Sequence, residues 1–337
     1  MQITESLSIS TDWTLHGLTA IVLENRFLRI VVLPEAGAKI WQITYKPLDA
    51  PLLWNHPRIA PARQPIHTRY DDVWSGGWDE LFPNDEAGDL QGEFVPDHGE
   101  LWTGSWKFET FEEADSVGVR LKFLTPITSF LVERTIVLQR GSRNFEIRYR
   151  FTNQGADKLP FLWKLHPAFA VSSDHRVDFP EMTVVREPGF PGSLGDAPLI
   201  FLWPHAPLAD TSIDLRQVPS PESRAVHFFY GTGLAAGWCG ITNQGSGLSV
   251  ALKFDPEVFS SCWLFASHGG WRNLNVAVLE PATGYPFRIH SMIDEGHARE
   301  LKPNESLETT VLFATQEGLG SIGGVDSDGT ILPGEES

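Results

Sequence analysis

Alternation of period two, repeated along most of the chain, limits the fold class before any single residue is considered. Val117, Val119, Leu121 and Phe123 alternate with Gly118, Arg120 and Lys122, and Phe145, Ile147, Tyr149 and Phe151 alternate with Glu146, Arg148 and Arg150. Leu248, Val250, Leu252 and Phe254 repeat the pattern, as do Leu307, Thr309, Val311 and Phe313. One apolar and one polar face is what a half-buried antiparallel strand presents. The segment SFLVERTIVL (129–138) lies between the first two stretches and is expected to pair with both. Upstream, TAIVLEN, FLRIVVL and KIWQITY follow one another between Thr19 and Tyr45, short, rich in β-branched residues and separated by turn formers. No long helical period with caps occurs, and 30 Gly and 24 Pro punctuate the whole length. Many short strands with frequent turns predict an all-β fold, a sandwich or barrel, which can run long as one domain.

With 337 residues, 42% of them hydrophobic, the chain can bury a substantial core. No change of composition marks a linker before about Gln316, so residues 1–316 are expected to form one domain. The remaining 317–337, Gly-rich and acidic, reads as a surface extension. Its Asp326-Ser327-Asp328-Gly329 resembles a calcium loop but lacks the later Glu ligand. A net charge of -17 argues against a nucleic-acid or anionic-membrane surface. Twelve Trp hint at sugar faces, on which indoles stack as readily as they fill cores. Cys239 and Cys262 are too few for a disulfide framework and form no CxxC. The start MQITESLSIS has neither the basic nor the apolar region of a signal peptide, and no apolar run approaches membrane-spanning length. The expectation is a soluble cytoplasmic protein.

Three stretches carry residues suited to chemistry. In NVAVLEPATGYP (275–286), Val276–Leu279 form an apolar run without alternation, as in a strand covered on both faces, and Pro281 is expected to end it. Glu280 then sits at the end of a buried strand, where loss of water raises a carboxyl pKa toward general acid–base use. In FLWKLHPAF (161–169), Phe161, Trp163, Leu165 and Phe169 share one apolar face, so Lys164 and His166 point away from it, toward solvent or a cleft. Pro167 is expected to end that ladder. In Asp97-His98-Gly99-Glu100, the glycine lets the backbone approach a ligand closely. Between Asp49 and Asp97 periodicity disappears, and this loop-rich stretch carries His67-Thr68-Arg69 and WSGGWDELFPND (74–85). Its Trp, Phe and Leu content argues against disorder. Arg69, Asp79 and Glu80 there could bond hydroxyls. A zinc site is disfavoured, because His56, His67 and His98 are loosely spaced and HExxH is absent.

The order Arg69, His98-Gly99, His166-Pro167 and Glu280-Pro281 resembles that of the aldose 1-epimerase (galactose mutarotase-like) superfamily, over nearly the whole chain from Thr19 to Ala314. The resemblance implies one large antiparallel β-sandwich, the supersandwich, with an open cleft on one sheet. It implies Glu280 as general base, His166 as general acid, and His98 and Arg69 as substrate contacts; Asp79, Glu80 and Lys164 are further substrate-binding candidates on the reading of the residues alone. It implies neither metal nor cofactor, a small-molecule sugar as partner, and a monomer or homodimer. The chain departs from the family where a Tyr-Phe pair often follows the acid His: here Pro167-Ala168-Phe169 stands. Paired glycines after the first His become Gly99-Glu100. The family's substrate-binding Asp could match Asp214 or Asp255, and neither is carried over.

The reaction fits these residue types. Opening a cyclic aldose takes a proton from the C1 hydroxyl and gives one to the ring oxygen, and closure on the other face reverses both steps. Two other readings share the fold: a carbohydrate-binding or sensing protein without catalysis, and a glycoside hydrolase or lyase. A hydrolase needs a second carboxylate near Glu280, for which Asp79, Glu80 and Glu100 are candidates. A phosphorylated sugar would need a cationic cluster, for which Arg69, Lys164 and Arg272 are available.

Overall fold

The alternating stretches become strands with the bounds their polarity sets. The computed structural model describes residues 6–190 and 192–334 of the chain. The fold is all-β, built of large antiparallel sheets, with α-helix only at Tyr70–Val73 (α1) and Ile289–Asp294 (α2) among the described residues. Neither helix is long or apolar enough to cross a membrane. The chain divides into two compact units, the first running to Pro167 and including Thr283–Val311, the second comprising Ala168–Ala282 and the residues from Leu312 onward.

In the first unit, β1 (Ser8–Leu15), β2 (Leu18–Glu24), β3 (Leu28–Leu33), β4 (Lys39–Tyr45), β5 (Trp78–Leu81) and the Lys164–Pro167 part of β10 (Lys164–Ala170) lie side by side in that order. A second run contains β6 (Lys107–Glu112), β7 (Ser116–Leu124), β8 (Phe130–Gln139) and β9 (Asn144–Asn153), each antiparallel to the next. The segment 129–138 pairs with both neighbours, as its position between them requires. Side chains from the two runs interdigitate as a sandwich core: Phe82 meets Phe130 at 4.9 Å between ring centroids, and Phe151 meets Trp163 at 4.4 Å. Such aromatic pairs add roughly 0.5–1.5 kcal/mol each beyond the area they bury.

Two local expectations need correction. WSGGWDELFPND is not all loop, because Trp78–Leu81 is a strand with all four residues buried. Burial on both faces erases alternation, so four residues carry no periodic signal. The two glycines before it take φ of 82° and 79°, and a Cβ on Gly76 would lie 2.3 Å from the Trp54 carbonyl oxygen. Likewise Pro167 does not end its strand, which runs on to Ala170, and Pro281 lies inside the strand Asn275–Ala282. A strand residue aims its N–H at one neighbour only, so a proline near a strand end removes one bond without stopping the ladder.

The second unit holds β18 (Asn275–Ala282), β17 (Ser261–His268), β14 (Ala225–Thr232), β12 (Thr183–Arg186) and β13 (Ile200–Leu202) in that spatial order. Its other run is β11 (His175–Asp178), β15 (Trp238–Asn243), β16 (Leu248–Lys253) and the Leu312–Glu317 part of β19 (Ser306–Glu317). The tail is no surface extension. It returns as the hairpin β20 (Ile322–Val325) and β21 (Ile331–Pro333), which buries Ile322 and Ile331 against Trp238, Ala251 and Ala314. The Ile322 N–H donates to Asp178 Oδ2 at 3.0 Å and the Ile331 N–H to Gln316 Oε1 at 3.0 Å. Two isolated isoleucines in a Gly- and Asp-rich stretch leave composition looking like a solvated tail. Ile331→Ala is expected to lower unfolding free energy by about 2–5 kcal/mol in urea titrations. A change within about 0.5 kcal/mol, the usual size for a surface site, would return the tail to a surface role.

Candidate active site

Adjacent strands β4, β5 and β10 of the first unit carry polar residues on one face. Asp79 stands directly opposite His166 in the antiparallel register, and Leu165 opposite Glu80. Successive strand residues face opposite ways, so Asp79 and His166 share one face while Glu80 and Leu165 share the other. Glu80 therefore points into the sandwich core, where Oε1 accepts from Tyr149 Oη at 2.6 Å and from Arg134 Nη1 at 3.3 Å, and Oε2 accepts from Trp163 Nε1 at 3.0 Å. Burial pushes its carboxyl pKa up against the pull of Arg134, Tyr149 and Trp163. Expected as a sugar contact, Glu80 instead holds the two sheets of this unit together.

On the other face, Asp79 Oδ2 accepts from Lys39 Nζ at 2.6 Å and from the Tyr70 hydroxyl at 2.8 Å. Lys39 also donates to the Gly76 carbonyl at 2.7 Å. Asp79 Oδ1 is buried without a hydrogen bond among the described residues. The Tyr70 oxygen lies 3.2 Å from His166 Nδ1. Trp74 closes on the same imidazole with ring centroids 5.7 Å apart. A shallow hollow beside the group is lined by Lys39, Tyr70, Trp74, Ser75 and Trp102 among others.

His98 lies beside this chain of contacts, its ring stacked on Tyr70 at 4.3 Å and 6.5 Å from the His166 ring. Both His98 and Gly99 have left-handed backbone, with φ of 59° and 77°. A Cβ on residue 99 would sit 2.0 Å from the Phe82 carbonyl oxygen, so only glycine fits. His98 Nδ1 is 2.9 Å from Asp97 Oδ1 and Nε2 is 3.8 Å from Asp85 Oδ1. Lys164, nearly buried, pairs with the other oxygen of Asp85.

The two imidazoles are driven apart electrostatically. Burial pushes the His166 pKa down, and the charges of Lys164, His98 and Lys39 push it further, leaving it well below 6.5. Burial acts the same way on His98, but the Asp85 and Asp97 carboxylates outweigh it and leave that pKa raised. His166 therefore favours the uncharged imidazole, and His98 holds its proton more tightly than His166 does. Paired groups with opposed shifts are the usual arrangement for dividing proton donation from proton acceptance.

Of the residues singled out from sequence, the first unit brings together Asp79, His98, Lys164 and His166. Arg69, next to Tyr70, keeps a side chain that is 79% exposed, 3.9 Å from Asp72. Glu280 belongs to the second unit. It is 2% exposed, in register opposite Trp263, after Val276–Leu279 that are wholly buried. Cys262 nearby has its thiol pushed well up by burial, then by Cys239 and the Glu280 carboxylate. Sequence reasoning missed Lys39, Tyr70, Asp85 and Asp97. The signals were a lysine at the start of β4 and a tyrosine beside Arg69. Among the described residues no group of three or more His, Cys, Asp or Glu is placed to hold a metal ion.

No family model matches the chain, and no curated protein matches it in sequence. Solved structures do. A galactose mutarotase-like protein from Clostridium acetobutylicum superposes with a TM-score of 0.66 at 13% identity, over 93% of this chain and 99% of that one. A provisionally named aldose 1-epimerase from Klebsiella pneumoniae gives 0.71 at 12% identity, over 92% and 83%. A protein of the same provisional name from Escherichia coli K12 gives 0.62 at 17%, over 93% and 100%. The chain has the galactose mutarotase-like β-sandwich fold.

Two outcomes follow from the charges. In an NMR pH titration the His98 imidazole is expected to titrate above 6.5 and His166 below it; the reverse order would contradict the arrangement of carboxylates and cations described. Glu80→Ala leaves Arg134 buried and uncompensated, which is expected to cost about 3–5 kcal/mol of stability in denaturant titration.

Proposed function

We propose that the protein is an aldose 1-epimerase-like isomerase that interconverts the anomers of an aldose by acid–base ring opening. The observation that carries this reading is the buried His166 imidazole, held by Tyr70 and Asp79 on a mutarotase-like sheet and set apart in pKa from its neighbour His98. The resemblance supplies the second group, Glu280. In the proposed reaction the Glu280 carboxylate takes the proton of the C1 hydroxyl and the C1–ring-oxygen bond breaks. Its electron pair stays on the ring oxygen, which receives a proton from the minor, protonated form of His166, whose resting ring is neutral. After rotation about C1–C2, the ring oxygen attacks the other face of the aldehyde. Its proton returns to His166 and that of Glu280 returns to O1, so no proton is gained or lost. His98 is the proposed donor to a sugar oxygen.

The hydrolase alternative loses support from the same geometry. Glu80 is committed to Arg134, Tyr149 and Trp163. Glu100 accepts from the Ile127 N–H at 2.7 Å and the Thr128 hydroxyl at 2.6 Å. Asp79 is tied to Lys39 and Tyr70. The phosphorylated-sugar variant also loses a member, because the Lys164 charge is already met by Asp85.

The test is anomer exchange followed by NMR over a panel of free aldoses. The protein is expected to accelerate exchange for at least one sugar, and Glu280→Gln and His166→Gln are each expected to reduce kcat by on the order of 10²–10⁴-fold. Full activity in either variant sinks the acid–base assignment. Saturable sugar binding without acceleration points instead to a binding protein on this fold.

A further inference from the structure

We infer that Tyr70 is the positioning residue that fixes which nitrogen of His166 exchanges its proton, a role that rests on the isomerase reading above. The Tyr70 side chain touches both imidazoles, its ring stacked on His98 and its hydroxyl 3.2 Å from His166 Nδ1, and it is buried. Its backbone N–H donates to Asp97 Oδ2 at 2.8 Å, and the other oxygen of that carboxylate holds His98. Its ring stacks on His98 with the planes 12° apart and meets Trp102 edge-on at 5.0 Å. These contacts fix where the hydroxyl sits. That hydroxyl has one proton and contacts both Asp79 Oδ2 and His166 Nδ1.

Proton inventory decides the direction of each bond. A carboxylate accepts only, and Asp79 is pinned by Lys39, so the Tyr70 proton goes to Asp79. The phenol oxygen is then left with lone pairs alone toward His166, and Nδ1 must supply the hydrogen. Which imidazole nitrogen is protonated is set by the bond the other one makes. With Nδ1–H reserved for Tyr70 in both the neutral and the cationic ring, the proton that comes and goes is the one on Nε2. Lys39, Asp79 and Tyr70 thus form a fixed line behind the imidazole, with the reacting side turned the other way. The depressed pKa of His166 agrees with a ring that rests neutral in this tautomer.

The first test needs no substitution and no sugar. Imidazole nitrogen chemical shifts of His166 in the intact protein at pH 7.5 are expected to show the Nδ1–H tautomer; a ring protonated on Nε2 alone overturns the inference. Tyr70→Phe keeps the stacking surface and removes the acceptor. Its His166 is expected to shift toward the Nε2–H tautomer, with kcat falling on the order of 10- to 100-fold and KM within about twofold. The His98 shifts should stay put, showing that the stack is intact. An unchanged tautomer together with unchanged kcat overturns the inference. If Tyr70→Phe fails to fold, 3-fluorotyrosine placed at position 70 weakens the acceptor in nearly the same volume. The His166 Nδ1 shift should then move, and a shift identical to that of the unmodified protein overturns the inference. A protein that never accelerates anomer exchange, yet shows the tautomer change in Tyr70→Phe, keeps the Tyr70 assignment and loses only the isomerase reading.

Discussion

Two neighbouring carboxylates, Asp79 and Glu80, are buried on opposite faces of one four-residue strand, and the first unit is arranged to compensate both. Neither is more than 1% exposed. An isolated carboxylate cannot remain ionised in such a place, so each needs its own cation and hydrogen-bond donors. Glu80 finds Arg134, itself fully buried, together with Tyr149 and Trp163, all inside the sandwich. Asp79 finds Lys39 and Tyr70 on the outer face. The inner group ties the sheets to each other. The outer group ties the sheet to the long segment that covers it, and so holds His166 where chemistry is possible. Structure and site are separated by one step along a backbone.

The outer face extends the same bookkeeping to a cluster of nearly balanced charge. Lys39 with Asp79, Lys164 with Asp85, and His98 with Asp97 set three basic groups against three carboxylates, and His166, its pKa pushed down, stands among them. The opposed shifts of the two histidines follow from position alone. His98 lies beside two carboxylates that raise its pKa, whereas burial and then the charges of Lys164, His98 and Lys39 lower that of His166. Moving His98 away would remove one of the cations that depress His166, so the two titrations are linked through the shared environment.

The scaffold was legible in the chain because half-buried strands announce themselves. The stretches around Val117, Phe145 and Leu248 alternate in sequence and each is a strand, and 129–138 pairs with both neighbours as expected. His166 and Lys164 could be placed on a common face for the same reason, and the apolar run before Glu280 read correctly as buried on both sides. What stayed hidden lacks periodicity. Trp78–Leu81 is too short and too buried to alternate, so Asp79 and Glu80 looked like one polar loop instead of two opposed faces. Tyr70 belongs to a single helical turn, α1, with no repeat to reveal it. Lys39 opens a strand where a lysine ordinarily faces solvent, and its bonds to Asp79 and to the Gly76 carbonyl explain its burial. The tail misled for the opposite reason: its composition is that of a solvated loop, and two isoleucines decide its fate.

The origin of the members says why such a site suits proton transfer. Strands β4, β5 and β10 contribute Lys39, Asp79, Lys164 and His166 from a hydrogen-bonded sheet, whose backbone cannot shift one residue without reversing every side chain. The covering segment adds Tyr70, Asp85, Asp97 and His98, locked by stacking and by the strained backbone at His98-Gly99. Glu100, standing where the resemblance places a second glycine, fastens that segment to the 125–129 turn through the Ile127 and Thr128 donors. Dipoles and charges fixed during folding need not reorganise when a substrate's charge moves, and this is where electrostatic catalysis gains most over water. A neutral imidazole in such a frame has one tautomer, one orientation and a proton affinity tuned by groups that do not themselves react.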